Sequence, residues 1–373
     1  MDLTTLHNAV RRFPLVGRPR PACPSLQERV REIAGIAETA WHQGDNGLHE
    51  AAHALNKAAL VASDCGLSDL AHELCWQHIN VYRQAGEPLT VLQARYMLEP
   101  VLNLARLQIR AENGDKALRL LAAVYQAATT CTDLVVERQT LPTAALEGTR
   151  HERHKLREWA WLQYLAEGIR VLAMAGRWDE AVAHAKAHNG IGVHLMEGRQ
   201  AEIIAHCLHS APRAARHVLE ECNLTEPWER QVATCLNVMS AGSTLNRDGQ
   251  AMAEHFLGSE PMPGYAVYRA RYGLTVATLA GAFDPHIADH VLTQVATEAL
   301  TSRDGYAARD VLRHHPMTQL ASAHRRGLTK LVTSAGLGSG SLAAPLLDSI
   351  TASVKLAQEA LAAALSTRHR TAS

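Results

Sequence analysis

Small and aliphatic residues recur at helical spacing over most of the chain, and this pattern predicts a protein built from α-helices. In the segment after Pro24, Ser25 and Glu28 form the spacing of a capping box at a helix start. Ile33, Ala37 and Ala40 then fall on one face of that helix. Because no segment alternates apolar and polar residues with enrichment in β-branched side chains, we expect no strands.

The helical stretches come in pairs separated by short turns. We expect the longer irregular stretch at 142–149 to be either disordered or a surface lid. The predicted pairs are 47–64 with 68–85, 91–112 with 115–130, 152–175 with 178–188, and 196–209 with 212–222.

A turn phrase recurs between paired helices. A glycine (Gly66, Gly114 or Gly176) is followed by an acidic residue and then by an alanine. Glycine supplies the left-handed conformation that ends a helix, and the acidic residue lies in the first turn of the next helix, near its positive dipole end. Alanine lets two helices approach closely. Helix hairpins that repeat in this way stack into a solenoid.

Composition shifts divide the predicted helical array into segments. The Gly- and Pro-containing stretch at 258–264 is the best internal boundary, and the Gly- and Ser-rich stretch at 336–341 is expected to be a flexible linker. The expected segments are a short helix and Pro-rich loop at 1–24, helical repeats at 25–257, further repeats of the same solenoid at 265–335, a capping helix at 342–366, and a disordered tail at 367–373.

The Gly–acidic–Ala phrase, Trp178 shortly after Gly176, and a helix-pair length of roughly 34–47 residues resemble the tetratricopeptide-repeat family. The resemblance is clearest over 47–222 and extends over 265–334. It implies an all-α fold, a right-handed α-solenoid of helix hairpins with a C-terminal capping helix. In this family the first helix of each pair lines a concave groove that binds a peptide or protein segment, which is the partner we expect.

The net charge limits the classes of partner to expect, and the cysteine content indicates the cellular compartment. Lys plus Arg and Asp plus Glu number 37 each, so the zero net charge argues against nucleic acid or an acidic membrane surface as partners. The seven cysteines form no CxxC pair and are expected to be reduced thiols. The chain also shows neither a signal-peptide pattern nor a long apolar run. We therefore expect a cytoplasmic protein.

His49-Glu50-Ala51-Ala52-His53 matches the HExxH pattern, which on a helix presents two imidazoles to one Zn²⁺. Glu73 would be the third ligand, but about 9 Å separates it from His53 along the hairpin at about 1.5 Å per residue. We therefore expect no metal at this site. The chain also contains neither a P-loop nor a GxGxxG pattern, so no cofactor is expected.

A polar stripe on the predicted first helices is the candidate partner-binding surface. Asn and Arg side chains recur there at one-face spacing, and Asn56 and Asn103 lie at similar distances before their hairpin turns, so stacking would bring them into a ladder. Asn can hold a peptide backbone and Arg can clamp a carboxylate, although the stripe can also be read as an ordinary solvated face. The candidate residues are Asn56, Asn103, Arg106, Arg110, Gln163 and Arg170.

Two functions are compatible with these features. The repeat pattern and the lack of a linear catalytic motif favour a cytosolic protein that binds a peptide or protein partner through its concave face, as an adaptor, a sensor or a biosynthetic-pathway accessory protein. The alternative is an enzyme, or an enzyme component, that acts on a ribosomally made peptide in a cyclase- or lyase-type step. Its acid–base groups would be Tyr272, His286 and His290.

Overall fold

The computed structural model describes residues 1–11, 13–85, 88–241, 245–314 and 320–366, and over these residues the predicted all-α fold is confirmed. The expected tail at 367–373 lies outside the described residues. The helices are α1 Leu3–Val10, α2 Leu26–Gln43, α3 Leu48–Asp64, α4 Ser68–Arg83, α5 Val91–Arg110, α6 Gly114–Thr130, α7 Arg150–Met174, α8 Trp178–Ala187, α9 Glu197–Leu208, α10 Pro212–Glu220, α11 Pro227–Met239, α12 Leu245–Gly258, α13 Ala266–Ala280, α14 Pro285–Ser302, α15 Gly305–Leu312, α16 Ser322–Ser334 and α17 Ala344–Ser366.

A β-hairpin lies between α6 and α7, where no strand was expected. Strands β1 (Leu134–Val136) and β2 (Gln139–Leu141) pair antiparallel. The two residues that join them, Glu137 and Arg138, both have positive φ, as tight hairpin turns require. The prediction of no strands is therefore wrong here, because strands of three residues are too short to show alternation and the turn lacks the usual Gly or Asn.

The helix-ending conformations follow the predicted turn phrase in two of its three cases. Gly66 and Gly176 adopt positive φ values of 83° and 72°. In the middle case Glu112 takes the left-handed position, with a φ of 60°, and Gly114 instead begins α6. The chain can therefore close this hairpin without using glycine's conformational freedom.

The chain forms two compact units. One contains residues 1–24 and 168–335, and we call it the 168–335 unit; the other contains residues 25–167 and the chain from 336 onward, and we call it the 25–167 unit. The division lies inside α7, between Glu167 and Gly168, and not at 258–264. That Gly- and Pro-containing stretch belongs to the 168–335 unit, where the backbone amide of Arg20 donates to the Gly264 carbonyl at 2.8 Å.

Helix α17 packs against α2 and α3, near the start of the helical array in the 25–167 unit. Its Ala357 and Leu361 are buried in the same core as Ala37 of α2. The stretch at 336–341 is held in place, because the Gly338 amide donates to the Asp64 carbonyl, the last of α3, and the Gly340 amide to the carbonyl of the next residue, Cys65, each at 2.8 Å. The expectation of a flexible linker is therefore wrong, since these glycines satisfy helix-end carbonyls that would otherwise lack partners.

None of the described helices is both long and apolar enough to cross a membrane.

Candidate functional site

Helices α3 and α5 are linked by a ladder of side-chain contacts in constant register. Three contacts between them each join residues that are 47 positions apart, and successive contacts are seven residues, or about two helical turns, apart. This constancy means that the two helices run parallel and present equivalent positions on one face. The contacts are His49 Nδ1 with the Tyr96 hydroxyl (3.0 Å), Asn103 Nδ2 to Asn56 Oδ1 (2.9 Å), and Arg110 to the Ser63 hydroxyl.

The middle of this ladder extends to α7. Asn56 Nδ2 donates to Glu99 Oε2 at 2.8 Å, and Arg106 donates at 3.0 Å to both Asn103 Oδ1 and Glu167 Oε1. One hydrogen-bonded chain therefore joins three helices of the 25–167 unit. We call the surface of α3, α5 and the part of α7 before Gly168 that carries these side chains the ladder face.

A buried carboxylate anchors the end of the ladder face near Gly66. The Asp64 side chain is only 1% exposed, and it accepts from Arg110 Nη2 at 2.8 Å and from Arg29 of α2. Two guanidinium partners compensate the cost of burying this charge. Asp64 thus joins three helices and fixes the position of Arg110 at the surface.

Three titratable groups at the opposite end of the ladder face, His53, Tyr96 and Glu99, have shifted pKa values. The imidazoles of His49 and His53 stack with ring centroids 6.0 Å apart. Burial raises the pKa of Tyr96, and the nearby Glu99 carboxylate raises it further. Burial also raises the pKa of Glu99, against the opposing charge of Arg95. Burial lowers the pKa of His53. Perturbed groups that cluster on one surface are a common feature of functional sites.

The structure brings four of the six candidate residues onto one face: Asn56, Asn103 and Arg106 share one hydrogen-bonded chain, and Arg110 lies at its end, bonded to Ser63 and Asp64. Of the other two, Gln163 is half-buried on α7 in the same unit, whereas Arg170 belongs to the 168–335 unit.

Asn56 and Asn103 do not present their amides to solvent. Both polar atoms of each side chain are bonded within the protein, and Asn103 is only 6% exposed. Their role in the structure is therefore to join α3 to α5 and to orient Arg106. The groups that reach solvent on this face instead include His49, Arg95, Arg106 and Arg110.

Sequence reasoning missed the two carboxylates that complete the network, Glu99 and Glu167. A signal for both exists, because Glu99 lies one turn before Asn103 and Glu167 lies one turn after Gln163. A search for acidic residues on the same helical faces as the Asn and Arg stripe would have found them.

The HExxH residues lie at the edge of the ladder face. His49 contacts Tyr96 through Nδ1, and His53 is exposed one turn later. Within the part of the chain that the structure describes, no three His, Cys, Asp or Glu side chains come together as metal ligands. The two histidines of the motif instead make a His–Tyr contact and a ring stack.

The residues of the enzymatic alternative are not assembled into an open site. Tyr272 has no exposed surface, its hydroxyl lies 3.3 Å from that of Thr234, and its ring meets Phe256 edge-on. Burial raises the pKa of this phenol. His286 and His290 are instead exposed in the first turns of α14. Tyr272 therefore has the environment of a core residue.

The fold and the site together define an all-α protein with a polar, hydrogen-bonded ladder face on its 25–167 unit. Comparison of the chain with protein-family models, with curated proteins and with solved structures gives no significant match.

Proposed function

We propose that this protein is a helical-repeat protein, similar to the tetratricopeptide-repeat family, that binds a peptide or protein segment on the ladder face. The constant 47-residue offset between α3 and α5 carries the proposal. An offset of this size is one helix pair with its connections, as in helical repeats. Repeated pairs place equivalent first-helix positions side by side, which is how such proteins build extended binding surfaces.

The ladder face also has the composition of a recognition surface. Its exposed groups include an imidazole and three guanidiniums on a framework held by partly buried hydrogen bonds. Leu92, which is 50% exposed, lies on the same side of α5 and offers an apolar contact. Rigid scaffolds with exposed hydrogen-bond donors suit peptide recognition, because little side-chain ordering remains to be done on binding.

A photo-crosslinking side chain in place of Leu92 tests the proposal. The matched control carries the same side chain in place of Leu347, an exposed leucine on α17. With a labelled pool of random synthetic peptides, we expect clearly more crosslinked peptide at position 92 than at position 347. An excess of the unlabelled pool should reduce the crosslinking at position 92. Equal yields at the two positions, or no peptide crosslinked at Leu92, would refute peptide binding at this face.

The proposed compartment is the cytoplasm, and the proposed roles are adaptor, sensor or biosynthetic-pathway accessory protein. All seven cysteines are free, and Cys23, Cys65, Cys75, Cys207 and Cys235 are buried. Buried free thiols are typical of proteins in reducing compartments.

A second candidate function is acid–base catalysis on a bound, ribosomally made peptide. The observation that favours it is the contact of His49 with Tyr96, next to Glu99, whose pKa is raised by burial. Tyr96→Phe separates the two functions. If the protein is an enzyme, this variant should still bind a peptide captured at Leu92, but it should no longer produce the mass change that the wild-type protein causes in that peptide. If the wild-type protein causes no mass change, the enzymatic function is refuted and binding stands.

A further inference from the structure

Three arginines of α5 form a row along the ladder face. Arg106 and Arg110 follow Arg95 by 11 and 15 residues, so at about 100° per residue all three fall within an arc of about 60°. Arg95 also lies over the Trp159 ring, with 5.7 Å between the guanidinium carbon and the ring centroid. The row therefore runs along one helix, parallel to its axis.

Each arginine of the row is exposed, while its carboxylate partner is more deeply buried. The side chains of Arg95, Arg106 and Arg110 are 48%, 40% and 44% exposed. Those of their partners Glu99, Glu167 and Asp64 are 28%, 12% and 1% exposed. The carboxylates thus form the floor of the face and the guanidiniums form its outer layer.

This layering leaves the guanidiniums able to bind a second anion. A guanidinium has five N–H donors, and the contacts of Arg106 and Arg110 within the protein go through Nη1 and Nη2 of each. These hydrogen bonds hold the planar forks of Arg106 and Arg110 in place, which lowers the entropy lost when either binds a carboxylate.

We propose that the ladder face binds an acidic peptide segment that lies extended along α5, with carboxylates spaced to meet Arg95, Arg106 and Arg110. This inference rests on the proposed function and specifies the partner of the same site. A helical ligand would need an apolar stripe to bury, whereas the side chains named here are charged or polar except for Leu92 and Trp159.

The spacing of the row defines the expected ligand. At about 1.5 Å per residue, Arg95 and Arg106 are about 16 Å apart along the axis of α5, and Arg106 and Arg110 about 6 Å. An extended peptide rises about 3.3 Å per residue. The matching carboxylates are therefore about five and about two residues apart, in one chain direction or the other.

The charges between the arginines disfavour a nucleic-acid strand at this face. Such a strand carries a phosphate for roughly every 3.4 Å of axis, and between Arg95 and Arg106 it would meet the Glu99 carboxylate. A peptide can place uncharged residues over that position. The zero net charge of the whole chain agrees with a ligand recognised by spacing rather than by long-range attraction.

Labelled synthetic peptides test the proposal by fluorescence anisotropy. They consist of Gly and Ser with three Glu residues, and they are acetylated and amidated so that no terminal charge contributes. Two peptides carry the predicted spacing in the two chain directions, a third has the same Glu residues consecutively, and a fourth has Gln in their place. We expect one matched peptide to bind about tenfold or more tightly than the consecutive isomer.

A second experiment combines arginine variants of the protein with peptides that lack single Glu residues. Arg95→Gln is the first variant, because its partner Glu99 keeps the hydrogen bond from Asn56 and folding should be preserved. It should lower the affinity for the matched peptide about tenfold. The affinity for the peptide that lacks the corresponding Glu should not change. Arg31→Gln, at an exposed arginine of α2, is the control and should change nothing. Replacing single Glu residues in the peptide tests the same contacts without altering the protein.

Equal affinities for the matched and consecutive peptides would overturn the proposal, as would an Arg95→Gln variant that behaves like Arg31→Gln. The Leu92 crosslink distinguishes the two levels of failure. If random peptides crosslink there without any preference for acidic residues, peptide binding stands and the acidic partner is wrong. If no peptide crosslinks there, both are wrong.

Discussion

A fully buried histidine should make the 25–167 unit sensitive to acid. His78, on α4, has no exposed surface, and neither of its ring nitrogens has a hydrogen-bond partner among the described residues. The Tyr82 ring lies 5.7 Å away between centroids, and its hydroxyl is also unpartnered among the described residues. Burial therefore lowers the pKa of His78 from 6.5 to about 3.

The sign of the effect follows from proton linkage. Because the pKa is lower in the folded state, the unfolded chain binds more protons between pH 6.5 and about 3. The stability is therefore complete above pH 6.5 and is lost progressively as the pH falls below it. For a single site with these two pKa values, the free energy of unfolding should fall by about 2 kcal/mol between about pH 7.5 and about pH 5.

Urea unfolding at the two pH values, followed by tryptophan fluorescence, measures this loss. Trp76 is buried two residues from His78 and reports on the same helix. His78→Leu should remove about 2 kcal/mol of the pH dependence and be at least as stable at the higher pH, since it removes two unpartnered polar atoms. His42→Gln, at an exposed histidine of α2, is the control and should behave like the wild-type protein. An unchanged pH dependence in His78→Leu would refute the reasoning.

Two further pairs of substitutions test the packing. Asp64→Ala should lower the free energy of unfolding by about 3–5 kcal/mol, because it removes the carboxylate that pairs with the buried guanidinium of Arg29. Asp69→Ala, at an exposed helix start, should cost under about 1 kcal/mol, and similar losses for the two variants in urea unfolding would contradict this. Gly273→Ala should cost about 1–3 kcal/mol, since its Cβ would lie 2.3 Å from Val295 Cγ2. Gly35→Ala, in an open helix position, should stabilise by about 0.4–1 kcal/mol; thermal unfolding that ranks these two variants in the opposite order would show the packing argument to be wrong.

Local chemistry could be predicted from the sequence wherever neighbouring residues decide the structure. Ser25 and Glu28 form the predicted capping box, with both of its hydrogen bonds present. Gly66 and Gly176 end their helices in the left-handed conformation. These features depend on interactions within a single helical turn, so one stretch of sequence contains all the information that they need.

Features that depend on distant partners could not be predicted in the same way. The burial of α17 against α2 and α3 depends on two apolar faces that are about as far apart in sequence as the chain allows. The hairpin turn at Glu137 is also fixed from a distance, because its carboxylate accepts hydrogen bonds from Trp76 and contacts His72 of α4. No local pattern in 134–141 records these contacts.

The candidate site lies between these two cases. The repeat spacing predicts that Asn56 and Asn103 lie side by side, and their 2.9 Å hydrogen bond agrees with it. The spacing cannot reveal that this bond uses the amide groups internally, because that depends on Glu99 and Arg106 completing the network. The pattern therefore places the two Asn residues side by side, while the identity of the exposed groups on this face follows only from the three-dimensional hydrogen bonding.

The Asn residues and the buried carboxylates of the ladder face share one structural role, which is to hold its arginines in position. A guanidinium on a free helix surface would sample many rotamers, and its pairing with a ligand would be weakened by the cost of ordering it. Here Arg106 is held by Asn103 and Glu167, and Arg110 by Asp64, in the structure without a ligand. Substituting one of the residues that hold an arginine should therefore change the affinity for the proposed peptide through the position of that arginine, even though the substituted residue does not touch the peptide.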